Sequence, residues 1–103
     1  MNELQRASFQ IIAAVGEARC SYIEAVAAAE QGDFARAEEL LAQGDHEFAQ
    51  GHKHHFALVQ REATGDPVDM TLIITHAEDQ LMSAESIRIM ADQLIRVYRR
   101  LAA

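Results

Sequence analysis

Turn-forming residues cluster at only two places in this chain, Gln31-Gly32-Asp33 and Thr64-Gly65-Asp66-Pro67-Val68-Asp69. Each cluster reads as a helix stop followed by a start. Gly32 suits the left-handed position just past a helix end, and Asp33 suits the cap of the next helix. The second cluster holds the only proline and two further candidate caps. The spacing therefore predicts three helices of about 30 residues each, over about 2–31, 33–64 and 68–101. Each such helix runs about 45 Å at 1.5 Å per residue. Alternation of period two persists nowhere beyond a few residues, so strands are excluded. Short connections force antiparallel neighbours, giving an all-α, up-down-up, three-helix bundle spanning 1–103 as a single domain.

Composition narrows what such a bundle does. Nine basic and sixteen acidic side chains leave a formal charge of −7, which argues against phosphate-neutralising contact with nucleic acid. The single cysteine, Cys20, excludes an internal disulfide framework and suits a reducing compartment. No apolar run approaches the ~20 residues of a membrane span, and Met1-Asn2-Glu3 begins polar and acidic, unlike a signal peptide. The expectation is a small cytoplasmic domain without membrane insertion.

Helical stripes supply the expected core. Leu4, Ile11, Val15, Ala18, Tyr22, Val26 and Ala29 share one face of the first helix. In the second, Phe34, Ala37, Leu41, Gly44, Phe48, His52, His55, Val59 and Ala63 continue a face. The third helix carries two stripes. Met70, Ile74, Ala77, Leu81, Ala84, Ile87, Ala91, Leu94, Tyr98 and Leu101 would face the first two helices.

Its other stripe, Leu72, Thr75, Asp79, Met82, Ser86, Ile89, Gln93 and Arg96, alternates steps of three and four like a coiled-coil seam. A three-helix subunit has no fourth helix to cover it, so self-association into a closed cyclic oligomer with this helix on the axis is expected. The alternative is an exposed face with scattered Leu, Met and Ile. On a threefold axis three copies of Asp79 converge, and like carboxylates resist joint ionisation. Either the site stays partly protonated, or a hard divalent cation such as Mg²⁺ bridges it with one Asp79 oxygen from each subunit.

Five histidines are present: His46, His52, His54, His55 and His76. The cluster His52, His54 and His55 invites a zinc reading but lacks paired cysteines, a His-Glu-x-x-His motif or a carboxylate on the same face. Solvated histidines, or His52 lining a site, are the alternatives. His76 lies beside the seam position Thr75, with Asp79 three and Gln80 four residues on, near enough along one helix face to approach the imidazole. An imidazole titrating near neutrality suits nucleophilic or proton-transfer work. A histidine satisfied at an interface is the plainer reading. No Ser/His/Asp or Cys/His set, phosphate-binding glycine loop or dinucleotide fingerprint accompanies it.

The stretch Thr75-His76-Ala77-Glu78-Asp79-Gln80-Leu81-Met82-Ser83-Ala84-Glu85 closely resembles the phosphorylation motif of the lactose/cellobiose family of IIA components of the sugar phosphotransferase system. Gly16, Ala18 and Arg19 agree with it, as do Ala28 through Phe34, and His52 with Gln60, Glu62, Ala63 and Gly65. The resemblance implies a phosphoryl carrier. His76 matches the histidine that accepts a phosphoryl group from the phosphocarrier histidine protein and passes it to a cysteine of the IIB component, serving disaccharide uptake of the cellobiose, chitobiose or lactose type. Asp79 matches the aspartate that gathers around a divalent cation in the family's homotrimers, here a nine-helix bundle. Gln80, a possible hydrogen-bond support for His76, stands where some members have a second histidine. His55 stands at a position expected to be glutamine. A non-catalytic helical adaptor, or a metal-binding bundle built on His52, His54 and His55, remains the alternative from the residues alone.

Overall fold

A computed structural model describes all 103 residues as three helices without strands: α1 (Glu3–Glu30), α2 (Phe34–Ala63) and α3 (Leu72–Ala102). They form an elongated antiparallel bundle of 54 × 22 × 19 Å. No helix is long and apolar enough to cross a membrane.

Local chemistry sets the boundaries. Asn2 and Gln5 form a reciprocal capping box that satisfies two otherwise free amide groups at the start of α1. Gly32 takes φ +81°, letting its own amide donate to the carbonyl of Ala29 and that of Asp33 to the carbonyl of Ala28, while the Asp33 carboxylate caps α2 at Arg36. Gly65 repeats the arrangement at φ +93°, with amides of Gly65 and Asp66 bonded to carbonyls of Glu62 and Arg61.

The third helix begins later than the spacing predicts. Thr71, not Val68 or its neighbours, caps it, and Asp66 to Met70 remain outside helical geometry after Pro67. Met70, expected in the core, is therefore on an exposed connection.

Helix α1 lies between the other two, and α2 and α3 meet only sparingly. Its inward stripe of Ser8, Ile11, Val15, Ala18, Tyr22, Ala25 and Ala29 alternates steps of three and four without a break. The core divides into two clusters along the bundle. Ala18, Tyr22, Ala25, Leu40, Leu41 and Ile95 anchor one, and Ile11, Val15, Ile74, Ala77 and Leu81 anchor the other.

Two stripes correct the expected ones. In α2 the inward position is Gly51 rather than His52, because α1 approaches closely: a Cβ on Gly51 would lie 2.7 Å from Val15 Cγ1. Val59 and Ala63 consequently turn outward with His52. In α3 Ile95 is 2% exposed while Leu94 is 41% exposed. Arg88 holds the intervening inward position, with its guanidinium 5.8 Å over the Tyr22 ring and bonded to Asp45. A charged residue at a core register shifts the apparent apolar stripe by one residue, since its alkyl stem packs while its head reaches a carboxylate.

Candidate functional site

His76 stands one turn into α3, exposed, where Leu72 and Ile73 border it in a shallow, mostly apolar cleft. The helix phase that buries Ile74, Ala77 and Leu81 against α1 turns His76 and Asp79 outward. Nothing within the subunit holds the imidazole by a hydrogen bond. Gln80, one turn further along α3, is half-buried and engaged with α1: Arg19 Nη1 donates to its side-chain oxygen at 2.5 Å. The side-chain oxygen of Gln80 is thus occupied by a contact between helices. Asp79 is exposed and forms no ion pair or hydrogen bond within the subunit, so its carboxylate is free to meet a group from outside.

All eight seam residues, Leu72, Thr75, Asp79, Met82, Ser86, Ile89, Gln93 and Arg96, are exposed in the single subunit. Leu72, Met82 and Ile89 are 86%, 62% and 59% exposed. A row of apolar side chains with polar steps between them thus runs along the outside of α3, with His76 at its edge.

The remaining histidines scatter. His52 lies between the rings of Phe48 and Phe56, each 6.3 Å away centre to centre. His54 lines a different cleft with Glu3, Arg6 and Arg61. His55 Nε2 is 2.5 Å from Glu78 Oε1 of α3, both partly buried. Nowhere are three or more His, Cys, Asp or Glu side chains gathered to hold a metal within one chain. The zinc reading of His52, His54 and His55 is therefore overturned: the helix points these three positions into three separate surroundings.

Two pairings had no signal in the sequence. Arg19 meets Gln80 across 61 positions, and Glu78 meets His55 across 23. Only helix packing brings them together.

Comparison with known proteins agrees with this geometry. Residues 6–99 match the family described as PTS system, Lactose/Cellobiose specific IIA subunit. The chain belongs to that family and is a IIA component of a phosphotransferase system of the lactose/cellobiose type. It is 37% identical over 99 residues to the lichenan-specific phosphotransferase enzyme IIA component of Bacillus subtilis, covering 96% of this chain and 90% of that protein. Among solved structures, the PTS cellobiose-specific enzyme IIA of Bacillus anthracis superposes with a TM-score of 0.96 at 30% identity, covering 99% of this chain and 94% of that one. The IIA(Chitobiose) of the Escherichia coli N,N'-diacetylchitobiose branch, solved in complex with HPr, superposes with a TM-score of 0.86 at 27% identity over the full length of both chains.

Proposed function

We propose that this protein carries a phosphoryl group on His76 between the phosphocarrier histidine protein and the cysteine of a IIB component, in cytoplasmic service of cellobiose- or chitobiose-type disaccharide uptake. The observation that carries the reading is a free, exposed imidazole flanked by apolar Leu72 and Ile73 in a chain of this family. The solved complex of the chitobiose relative with HPr supports the same donor here.

The chemistry asks little of the protein. A neutral imidazole nitrogen of His76 attacks phosphorus in line, forming one N–P bond as the bond to the donor's imidazole breaks, and the donor nitrogen keeps the electron pair. In the second transfer a thiolate of the IIB component forms an S–P bond as the N–P bond of His76 breaks. Both steps depend on placement, so an accessible histidine with an apolar rim for docking suffices as the protein's main contribution. Transient exchange calls for a small interface rather than a tight one.

In this reading the subunit works as a homotrimer, with α3 on the axis. The unbroken exposure of the α3 seam supports it, because a stripe of Leu, Met and Ile on water is stabilised by burial against its own copies. Three Asp79 carboxylates would then share the axis, and they fit a structural divalent cation such as Mg²⁺: hard oxygen donors, unpaired in the subunit, one from each chain. The cation's contribution is to offset the mutual repulsion of the carboxylates.

Incubation with phosphoenolpyruvate and the general phosphotransferase proteins tests the carrier role. The expected result is a mass gain of one phosphoryl group, acid-labile, that disappears in His76→Gln. Undiminished labelling of that variant would overturn it.

A further inference from the structure

We propose that Arg19 is a positioning residue for phosphoryl transfer at His76, acting through Gln80; this rests on the carrier reading above. Gln80 follows His76 by four residues on α3, so the two share a helix face one turn apart. Arg19 reaches from α1 to the Gln80 side-chain amide at 2.5 Å, and both are half-buried. A guanidinium has five N–H donors and no acceptor. It therefore engages only the oxygen end of the amide, and the orientation of Gln80 follows from that chemistry.

With its oxygen occupied, Gln80 has only its NH₂ group left to offer. That group has no partner within the subunit. A freely turning glutamine would present either end to His76: an oxygen that repels phosphoryl oxygens, or an N–H that binds them. Arg19 selects the second. As the phosphoryl group moves from the donor nitrogen to His76, charge rests on its three equatorial oxygens, and a fixed N–H donor beside them favours the transition state.

The charge of Arg19 strengthens the case. Arg36, Arg61, Arg88, Arg96 and Arg99 each pair with a carboxylate in this chain. Arg19 pairs with none, although it is partly withdrawn from water, where an uncompensated cation is costly. Its positive charge lies one hydrogen bond behind the amide, polarising the N–H groups toward an incoming anion. Gln80 cannot itself be a cation, so Arg19 supplies the positive charge from the neighbouring helix.

Rapid-quench measurement of His76 phosphorylation by the phosphorylated carrier protein tests the proposal. Arg19→Leu is expected to lower the maximal transfer rate roughly tenfold to a hundredfold, the scale for losing one oriented donor, while leaving KM for the carrier protein little changed. Gln80→Leu should match it, and the double variant should be no slower than Gln80→Leu alone. Arg19→Lys keeps a donor and the charge, and should restore most of the rate. Full-speed transfer by Arg19→Leu, or losses that multiply in the double variant, would overturn the proposal. Should Arg19→Leu fail to fold, Arg19→Lys and Gln80→Leu decide it: a full-speed Gln80→Leu, or an Arg19→Lys as slow as Gln80→Leu, overturns it. If the unaltered protein accepts no phosphoryl group, the carrier reading itself fails; if it does and the variants equal it, only the role of Arg19 fails.

Discussion

Arg88 of α3 grips Asp45 of α2 as a fork, Nε to Oδ1 at 2.8 Å and Nη2 to Oδ2 at 3.2 Å. The same carboxylate accepts the Tyr22 hydroxyl of α1 at 2.8 Å, so one aspartate ties all three helices together. This matters because α2 and α3 share little packing of their own. Burial and the bond to Asp45 push the Tyr22 hydroxyl well above the ordinary tyrosine range, so it remains a donor throughout the physiological range.

Asp45 gives the fold an acid dependence. Burial opposes its ionisation, but the hydrogen bonds from Arg88 and Tyr22 outweigh that and hold its carboxyl below the usual carboxylate range. A depressed carboxyl pKa in the folded state means stability present above the unfolded value of about 3.9 and lost as pH falls through the folded one. Denaturant titrations between pH 7 and pH 2 should show Asp45→Asn losing less stability on acidification than the unaltered chain. At pH 7, Tyr22→Phe should cost about 1.5–3 kcal/mol from the lost bond to a charged carboxylate. Parallel acid profiles for Asp45→Asn and the unaltered protein would contradict this assignment.

The axial role proposed for Asp79 predicts the opposite effect on stability. In the proposed trimer Asp79→Leu would remove three converging charges, and replacing buried charge by apolar side chains is commonly neutral or stabilising. Sedimentation with and without a chelator should find the variant trimeric and indifferent to divalent cations. Ile89→Asp, in the same seam, should yield monomers because it adds three charges without a counterion. A monomeric Asp79→Leu, or a trimeric Ile89→Asp, contradicts the arrangement on the axis.

Close helix approach at Gly44 reverses the usual effect of alanine. Within a helix Gly→Ala gains about 0.5–1 kcal/mol from backbone entropy. Here a Cβ would overlap the ring of Tyr22, which is 1% exposed and held at its hydroxyl by Asp45. Overpacking of this kind costs about 1–3 kcal/mol, so Gly44→Ala should unfold at lower denaturant than the parent chain. An equal or higher midpoint would show that the ring has room to move.

Much of this protein follows from local chemistry that the sequence displays openly. Gly32 with Asp33 ends one helix and starts the next, and Thr64 with Gly65 ends α2, because positive φ and capping are properties of single residues. The α1 core stripe is equally plain, since every inward position of that helix carries a small or apolar side chain or serine. The α3 seam is likewise a pattern of spacing along one helix, whereas His76 stands out from the other histidines only through the resemblance of the motif around it.

Other features needed the packed structure. That Thr71 rather than an earlier residue starts α3, that Gly51 rather than His52 faces α1, and that Arg88 occupies a core register all depend on how near the helices lie. Pairs such as Arg19 with Gln80 and His55 with Glu78 join positions far apart in the chain. Periodicity fixes which face of a helix a residue occupies, but not which residue of another helix meets it. That second choice is made by the depth and register at which two surfaces interlock, a property of the pair that neither helix carries alone.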